Sequence, residues 1–230
     1  AEQSYLTVYL LHGYGGDHTD WIRRGDAAIT ADSLSAVGAI PPVILIMPNG
    51  RNSFYLDSDS ESGSAAFESA IVQDLLSHVD ATYRTIGERR GRAIEGFSQG
   101  GRGTTRIMFK YPELFASAAP GGSGYGPEKH IQENRGAESE RLKFASGDDA
   151  WTLARAYADR ADRPKLPILI WCGDKGFNYE TNLKFFAYLN DELDAPAEKL
   201  IQLGVGHSAS GIYEKQGLRL MKFHQRNVSR

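Results

Sequence analysis

The chain has 230 residues, a length that suits one α/β domain of the larger kind. Hydrophobic residues make up 41% and charged residues 24%, the balance of a globular protein, and a formal net charge of -3 speaks against a dedicated nucleic-acid binder, which carries a basic excess. No apolar run is long enough to span a membrane, and the single cysteine, Cys172, excludes an internal disulfide while leaving the redox compartment open.

A strand pattern begins almost at Ala1, with no signal peptide in view; the compartment, secreted or cytoplasmic, stays open. Residues 5–11 form a β-rich apolar run that ends in His12-Gly13-Tyr14-Gly15-Gly16. Residues 20–37 read as helix with a break near Gly25. Residues 43–47 read as a buried strand closed by Pro48-Asn49-Gly50. Residues 49–63 are rich in Ser, Asp and Gly and long enough to be a functional loop. Ile71, Val72, Leu75, Leu76 and Val79 place an apolar stripe on a helix over 64–79. A strand at 92–94 runs into a glycine-rich turn and a helix at 102–111, and 115–119 is a short strand. Residues 121–163 are charged and glycine-rich, with one helix at 149–160, and are expected to lie over the site as a small lid. Strands at 167–172 and 199–203 alternate with helices at 180–193 and 212–225. Cys172 ends an apolar strand and reads as a buried thiol. The alternation predicts an α/β fold: a mostly parallel central sheet with helices on both faces, in one domain over 1–230.

The chemistry is carried by Gly96-Phe97-Ser98-Gln99-Gly100-Gly101. A Gly-x-Ser-x-Gly set between strand and helix is a nucleophile elbow, whose strained turn lifts the serine hydroxyl out of the sheet. The first amides of the next helix then face whatever Ser98 attacks. A hydroxyl nucleophile needs a base and an oxyanion hole. The backbone N–H groups of Tyr14 and Gln99 are the expected oxyanion donors. His207, in Gly204-Val205-Gly206-His207-Ser208 after the last strand, is the expected general base. His12 reads as a brace for its own loop, and His78 and His224 read as surface residues. There is no His-Glu-x-x-His and no paired Cys/His spacing for a metal. Gly100-Gly101-Arg102-Gly103 lacks the lysine of a phosphate-binding loop.

Taken together, Leu11–Gly16 with Trp21, Met47-Pro48-Asn49-Gly50, the elbow, Trp171-Cys172-Gly173-Asp174 and Gly206-His207-Ser208 carry a resemblance that spans nearly the whole chain. The chain resembles the putative-esterase family of α/β-hydrolases, which includes tributyrin-type esterases, feruloyl esterases of carbohydrate esterase family 1, S-formylglutathione hydrolases and mycolyltransferases. The resemblance implies an α/β-hydrolase fold and hydrolysis of a carboxylic ester without a cofactor. It also implies that Trp21 braces the oxyanion loop and that 49–57, with Asn49 and Tyr55, helps to line the pocket.

Three departures stand out. Family members carry one or two more strands before the His-Gly loop. Glu95 stands where a small residue precedes the elbow, and a carboxylate in a central strand calls for an arginine or backbone partner. The family reads Cys-Gly-x-x-Asp-Phe after the strand that ends at Cys172, whereas here Gly176 occupies the acid's place. Asp174 ranks first as the carboxylate that orients His207, with Glu180 and an acid-free Ser–His dyad as alternatives. Tyr55, Tyr125, Trp151 and Phe177 either stack on an aromatic or sugar-linked ester or pack the lid. The expected substrate is a small-molecule or carbohydrate-linked ester, of short-chain, acetyl or feruloyl type. An acyltransferase using the same residues and a non-catalytic binding module are the competing readings.

Overall fold

A computed structural model describes residues 3–24, 27–60, 63–126 and 147–228. Among these, six strands form one sheet: β1 (Leu6–Leu11), β2 (Val43–Ile46), β5 (Arg92–Phe97), β6 (Ser117–Gly121), β7 (Ile168–Gly173) and β8 (Ala197–Gln202), in the order β2-β1-β5-β6-β7-β8. Every neighbouring pair runs parallel. All six residues of β1 and of β7 are buried, as continuous apolar strands covered on both faces should be. β2 is an edge strand, and its four residues are only half-buried where the sequence suggested a buried strand.

Helices cover both faces. On one face α5 (Gln99–Lys110), α6 (Ala150–Asp159) and α7 (Tyr179–Ala187) pack through Ile107, Met108, Phe109, Tyr157 and Phe185. On the other, α1 (Asp20–Arg23), α2 (Ala27–Ala36) and the C-terminal α8 (Ala209–Val228) pack through Trp21, Ile212, Tyr213, Leu220 and Phe223.

The chain leaves β1 for β2 on one side and returns to β5 on the other. The strand order therefore reverses between β1 and β5, which pair with Leu11 opposite Gly96. In open α/β sheets, ligands bind at the carboxyl ends of strands at such a reversal. The His12–Gly16 loop leaves β1 at this point, and Ser98 leaves β5.

The polar stretch at 49–63 holds more order than its composition suggested: β3 (Asp57–Ser60) and β4 (Gly63–Ala66) form an antiparallel hairpin outside the main sheet. Helix follows only from Phe67, as α3 (Phe67–Ser69) and α4 (Leu76–Thr82) joined by a π-helical stretch over Ala70–Leu75. The helix expected at 149–160 is α6, capped by Asp149, whose side chain accepts from the N–H groups of Trp151 and Thr152. It packs on the elbow-side core, and Trp151 and Tyr125 lie against Phe185 rather than over the site. The central part of the expected lid, 127–146, lies outside the described residues.

Glu95 is fully buried, but its partners are neither an arginine nor backbone. Tyr213 donates its hydroxyl to Oε1 at 2.6 Å, and His224 Nε2 lies 2.9 Å from Oε2. His224 is therefore a core residue, not a surface one, and its Nδ1 meets Ser117 Oγ at 2.9 Å. Cys172 is buried in β7, and its thiol is pushed up to about 12 by burial.

Candidate active site

β5 ends at Phe97 and α5 begins at Gln99, so Ser98 alone makes the turn. Its backbone stands at φ 58°, ψ -114°, a conformation that costs a non-glycine residue on the order of 1–3 kcal/mol. The turn closes only because two neighbours lack side chains. A Cβ on Gly96 would stand 2.3 Å from the Gly100 carbonyl oxygen, and one on Gly100 would stand 2.0 Å from that of Leu11. The Ser98 N–H donates to Gly121 O at 2.8 Å, which ties the turn to the end of β6.

Ser98 Oγ lies 2.9 Å from His207 Nε2. The loop that carries His207 is fixed from β7: Lys175 N–H donates to Val205 O at 2.9 Å, and Gly204 N–H donates to Asp174 Oδ1 at 2.6 Å. The imidazole lies against Phe97 and Phe177, with centroids at 4.6 and 4.5 Å. Burial, and then the positive charge of Arg102, push it down to about 4. The ring is thus a neutral base at physiological pH, one hydrogen bond from the hydroxyl.

The acid assignment is corrected. No hydrogen bond joins Asp174 to His207: its Oδ1 accepts from Gly204 N–H, and among the described residues His207 Nδ1 has no hydrogen-bond partner. Asp174 fastens the histidine loop instead. Asp174→Asn keeps an oxygen that can accept from Gly204, so kcat is expected to stay within about threefold of wild type, read by steady-state ester hydrolysis.

The expected oxyanion donors, Gln99 and Tyr14, stand on the two segments beside Ser98. Gln99 is the first residue of α5, where backbone N–H groups have no acceptor within the helix. Its buried side chain is held by the loop after β2, with Nε2 donating to Arg51 O at 2.7 Å and Oε1 accepting from Phe54 N–H at 3.2 Å. Tyr14 sits on the loop after β1, where a Cβ on Gly13 would stand 3.6 Å from Ser98 Cβ. His12 braces this loop: Nε2 accepts from Gly50 N–H at 3.0 Å, so Nδ1 carries the proton that it donates to Gly13 O at 2.8 Å.

A cavity of about 460 Å³ opens beside Ser98 and His207, walled by Tyr14, Trp21, Phe97 and Phe177, with Asp20 and Arg24 also at its wall. Phe177 is 84% exposed although it touches His207. Trp21 is buried and stands edge-on to Tyr213, so it forms both wall and brace. Two expected pocket residues are elsewhere. Asn49 is exposed and holds its own loop through Arg51 N–H. Tyr55 is fully buried behind the site, its hydroxyl donating to His12 O at 3.3 Å. The sequence reading also missed Arg102, whose guanidinium acts on His207 and whose Nε donates to Ser123 O at 2.8 Å. It lies one helical turn past Ser98, which is the only signal that could have found it.

Comparison with known proteins agrees with the fold. Residues 1–210 match the family model described as "Putative esterase". Over 130 residues, 56% of the chain, it is 32% identical to an endo-1,4-beta-xylanase/feruloyl esterase from Xylanibacter ruminicola, and it spans 18% of that protein's length. A solved ferulic acid esterase superposes with a TM-score of 0.81 at 21% identity, over 99% of this chain and 86% of that one. A substrate-bound fluorophosphonate-binding serine hydrolase from Staphylococcus aureus gives 0.80 at 22%, over 97% and 85%. The sheet, its helices and these neighbours define an α/β-hydrolase fold. Within that class, the chain belongs to the esterase family that its residues 1–210 match. Among the described residues, no helix is long and apolar enough to cross a membrane.

Proposed function

We propose that this chain is a serine carboxylic-ester hydrolase that works through an acyl-enzyme on Ser98. The observation that carries the reading is the 2.9 Å contact between Ser98 Oγ and His207 Nε2 at the mouth of a cavity. Ser98 Oγ attacks the acyl carbon while its proton passes to His207 Nε2. The N–H groups of Tyr14 and Gln99 hold the oxyanion. The carbon–oxygen bond to the alcohol breaks, and His207 returns the proton to the departing oxygen. Water then repeats the sequence on the acyl-enzyme, releasing the acid and Ser98.

Aromatic walls suit a flat or short acyl group, and the similarity to proteins named as feruloyl esterases favours feruloyl or acetyl esters of plant cell-wall carbohydrate. The test is hydrolysis of p-nitrophenyl acetate, p-nitrophenyl butyrate and methyl ferulate. Turnover with a preference for methyl ferulate supports a feruloyl substrate, turnover of the short esters alone restricts it to short acyl groups, and no turnover of any contradicts the reading.

The same assays across pH test the base. The imidazole must be neutral to take the proton, and its depressed value keeps it neutral as pH falls until about 4. kcat/KM is therefore expected to be level through the neutral range and to drop only near pH 4. A drop centred at pH 6.5 or above would contradict the buried setting of His207 beside Arg102.

A further inference from the structure

The site contains a base without an evident orienting partner, and a second buried polar atom nearby is in the same state. Among the described residues, neither His207 Nδ1 nor Asn178 Oδ1 has a hydrogen-bond partner. Atoms of both residues lie within 4 Å of one point beside Gly176. At Gly176, the point where a Cβ would stand is 3.2 Å from Asn178 Oδ1 and 3.7 Å from the His207 backbone nitrogen.

The Asn178 side chain is also turned away from its usual work. Asn178 is the N-cap of α7, where an asparagine ordinarily accepts from its own helix, yet it makes no side-chain cap bond. Its Nδ2 instead donates across to Gly122 O, and Gly122 is the residue whose Cβ would stand 3.3 Å from His207 Cε1. That bond fixes the amide. Because Nδ2 is committed to a carbonyl, the other branch must be the oxygen, and it can only accept. The backbone beneath is anchored as well, with Asn182 Nδ2 donating to Asn178 O at 2.7 Å and Thr181 Oγ1 at 2.9 Å.

We propose that Asn178 is the positioning residue for His207, its amide oxygen accepting the Nδ1–H in place of an acid. Catalytic hydrogen bonds of this kind are often long in the free enzyme and tighten when substrate binds. The arrangement holds the tautomer that leaves the Nε2 lone pair facing Ser98. An asparagine free to rotate could donate to Nδ1 and impose the wrong tautomer, a fault that costs about 10⁴ in kcat in a serine protease triad. Here the Gly122 carbonyl prevents that rotation. A neutral acceptor adds no charge to the site. Arg102 from α5 is the charge that acts on the ring; Asp20 and Arg24 line the shared cavity, and Asp174 and Lys175 stand in the loop after β7.

The inference rests on the Ser98–His207 reading. Its test is kcat, KM, the pH profile and the melting temperature of the full chain carrying Asn178→Ala and, separately, Asn178→Asp. The aspartate puts a negative charge beside Nδ1, so the acid limb of kcat/KM moves up by about 1–3 pH units. The alanine lowers kcat by about tenfold or more, short of the roughly 10⁴ of a triad acid, leaving KM and the acid limb unchanged. An Asn178→Asp limb that stays at the wild-type pH overturns the proposal, because a residue that only holds Gly122 would lower the melting temperature without moving it. If Asn178→Ala does not fold, the Asn178→Asp limb alone decides. Ser98→Ala measured alongside separates the two claims: turnover retained there sinks the dyad itself, while turnover lost there with an unmoved limb sinks only the role of Asn178.

Discussion

Ser98→Ala lowers kcat by about 10⁶, the loss that follows when the nucleophile of a serine hydrolase is removed, and it leaves the fold in place. The rate falls because the acyl-enzyme route closes. The oxyanion donors and the cavity can still bind the ester and speed attack by water by about 10³–10⁴ over solution. Stability changes little, because among the described residues the hydroxyl bonds to His207 alone, and alanine tolerates φ 58° no worse than serine does. The strain of the turn belongs to the backbone and its two glycines, which the substitution does not touch. Steady-state hydrolysis of p-nitrophenyl acetate with a parallel thermal melt checks both halves. A mutant that keeps more than about 1% of wild-type kcat with normal folding contradicts the mechanism.

The second large effect is expected on stability. Glu95, Tyr213, His224 and Ser117 form a chain of hydrogen bonds at 2.6, 2.9 and 2.9 Å, and all four residues are buried. It repeats the residue types of a catalytic triad. No solvent reaches it, however, so it acts as a brace between β5, which ends at the nucleophile, and α8, which starts two residues after His207. The Tyr213 hydroxyl is raised well above its ordinary value by burial and by Glu95, so it remains a donor. His224→Leu takes one partner from a carboxyl group that water cannot reach. Breaking a buried pair in this way costs about 3–5 kcal/mol, which for a chain of this size lowers the melting temperature by roughly 6–20 °C. Replacing both groups and trimming the hydroxyls they served, Glu95→Leu with His224→Leu, Tyr213→Phe and Ser117→Ala, removes the stranded carboxyl without leaving other buried polar atoms unpaired and is expected to recover much of the loss. A thermal melt of wild type and the two variants reads the difference. A combined variant less stable than His224→Leu alone contradicts the account.

The fold and the meeting of Ser98 with His207 were readable from the sequence because their determinants are local. The elbow is six consecutive residues between a strand and a helix, and the two flanking loops announce themselves by glycine after an apolar run. The misplaced residues depend on partners far along the chain. Glu95 meets Tyr213 and His224 across two elements, and nothing near it in sequence names them. Tyr55 sits on a polar stretch that suggested exposure, yet its ring turns inward against Gly50 and Gly103, which leave room for it. The hairpin Asp57–Ala66 carries no apolar alternation, so no strand signal was present. Asp174 lay at a promising spacing, but its Oδ1 accepts from the Gly204 backbone amide and no bond joins it to His207.

The central claim is that Ser98 is a nucleophile activated by His207, and covalent labelling tests it most directly. Wild-type protein and Ser98→Ala are treated with a fluorophosphonate, and the adduct is located by intact mass and peptide mapping. The account predicts one adduct per chain, on the peptide carrying Ser98, and none in the mutant. An unlabelled wild type, or an adduct that survives Ser98→Ala, would contradict it.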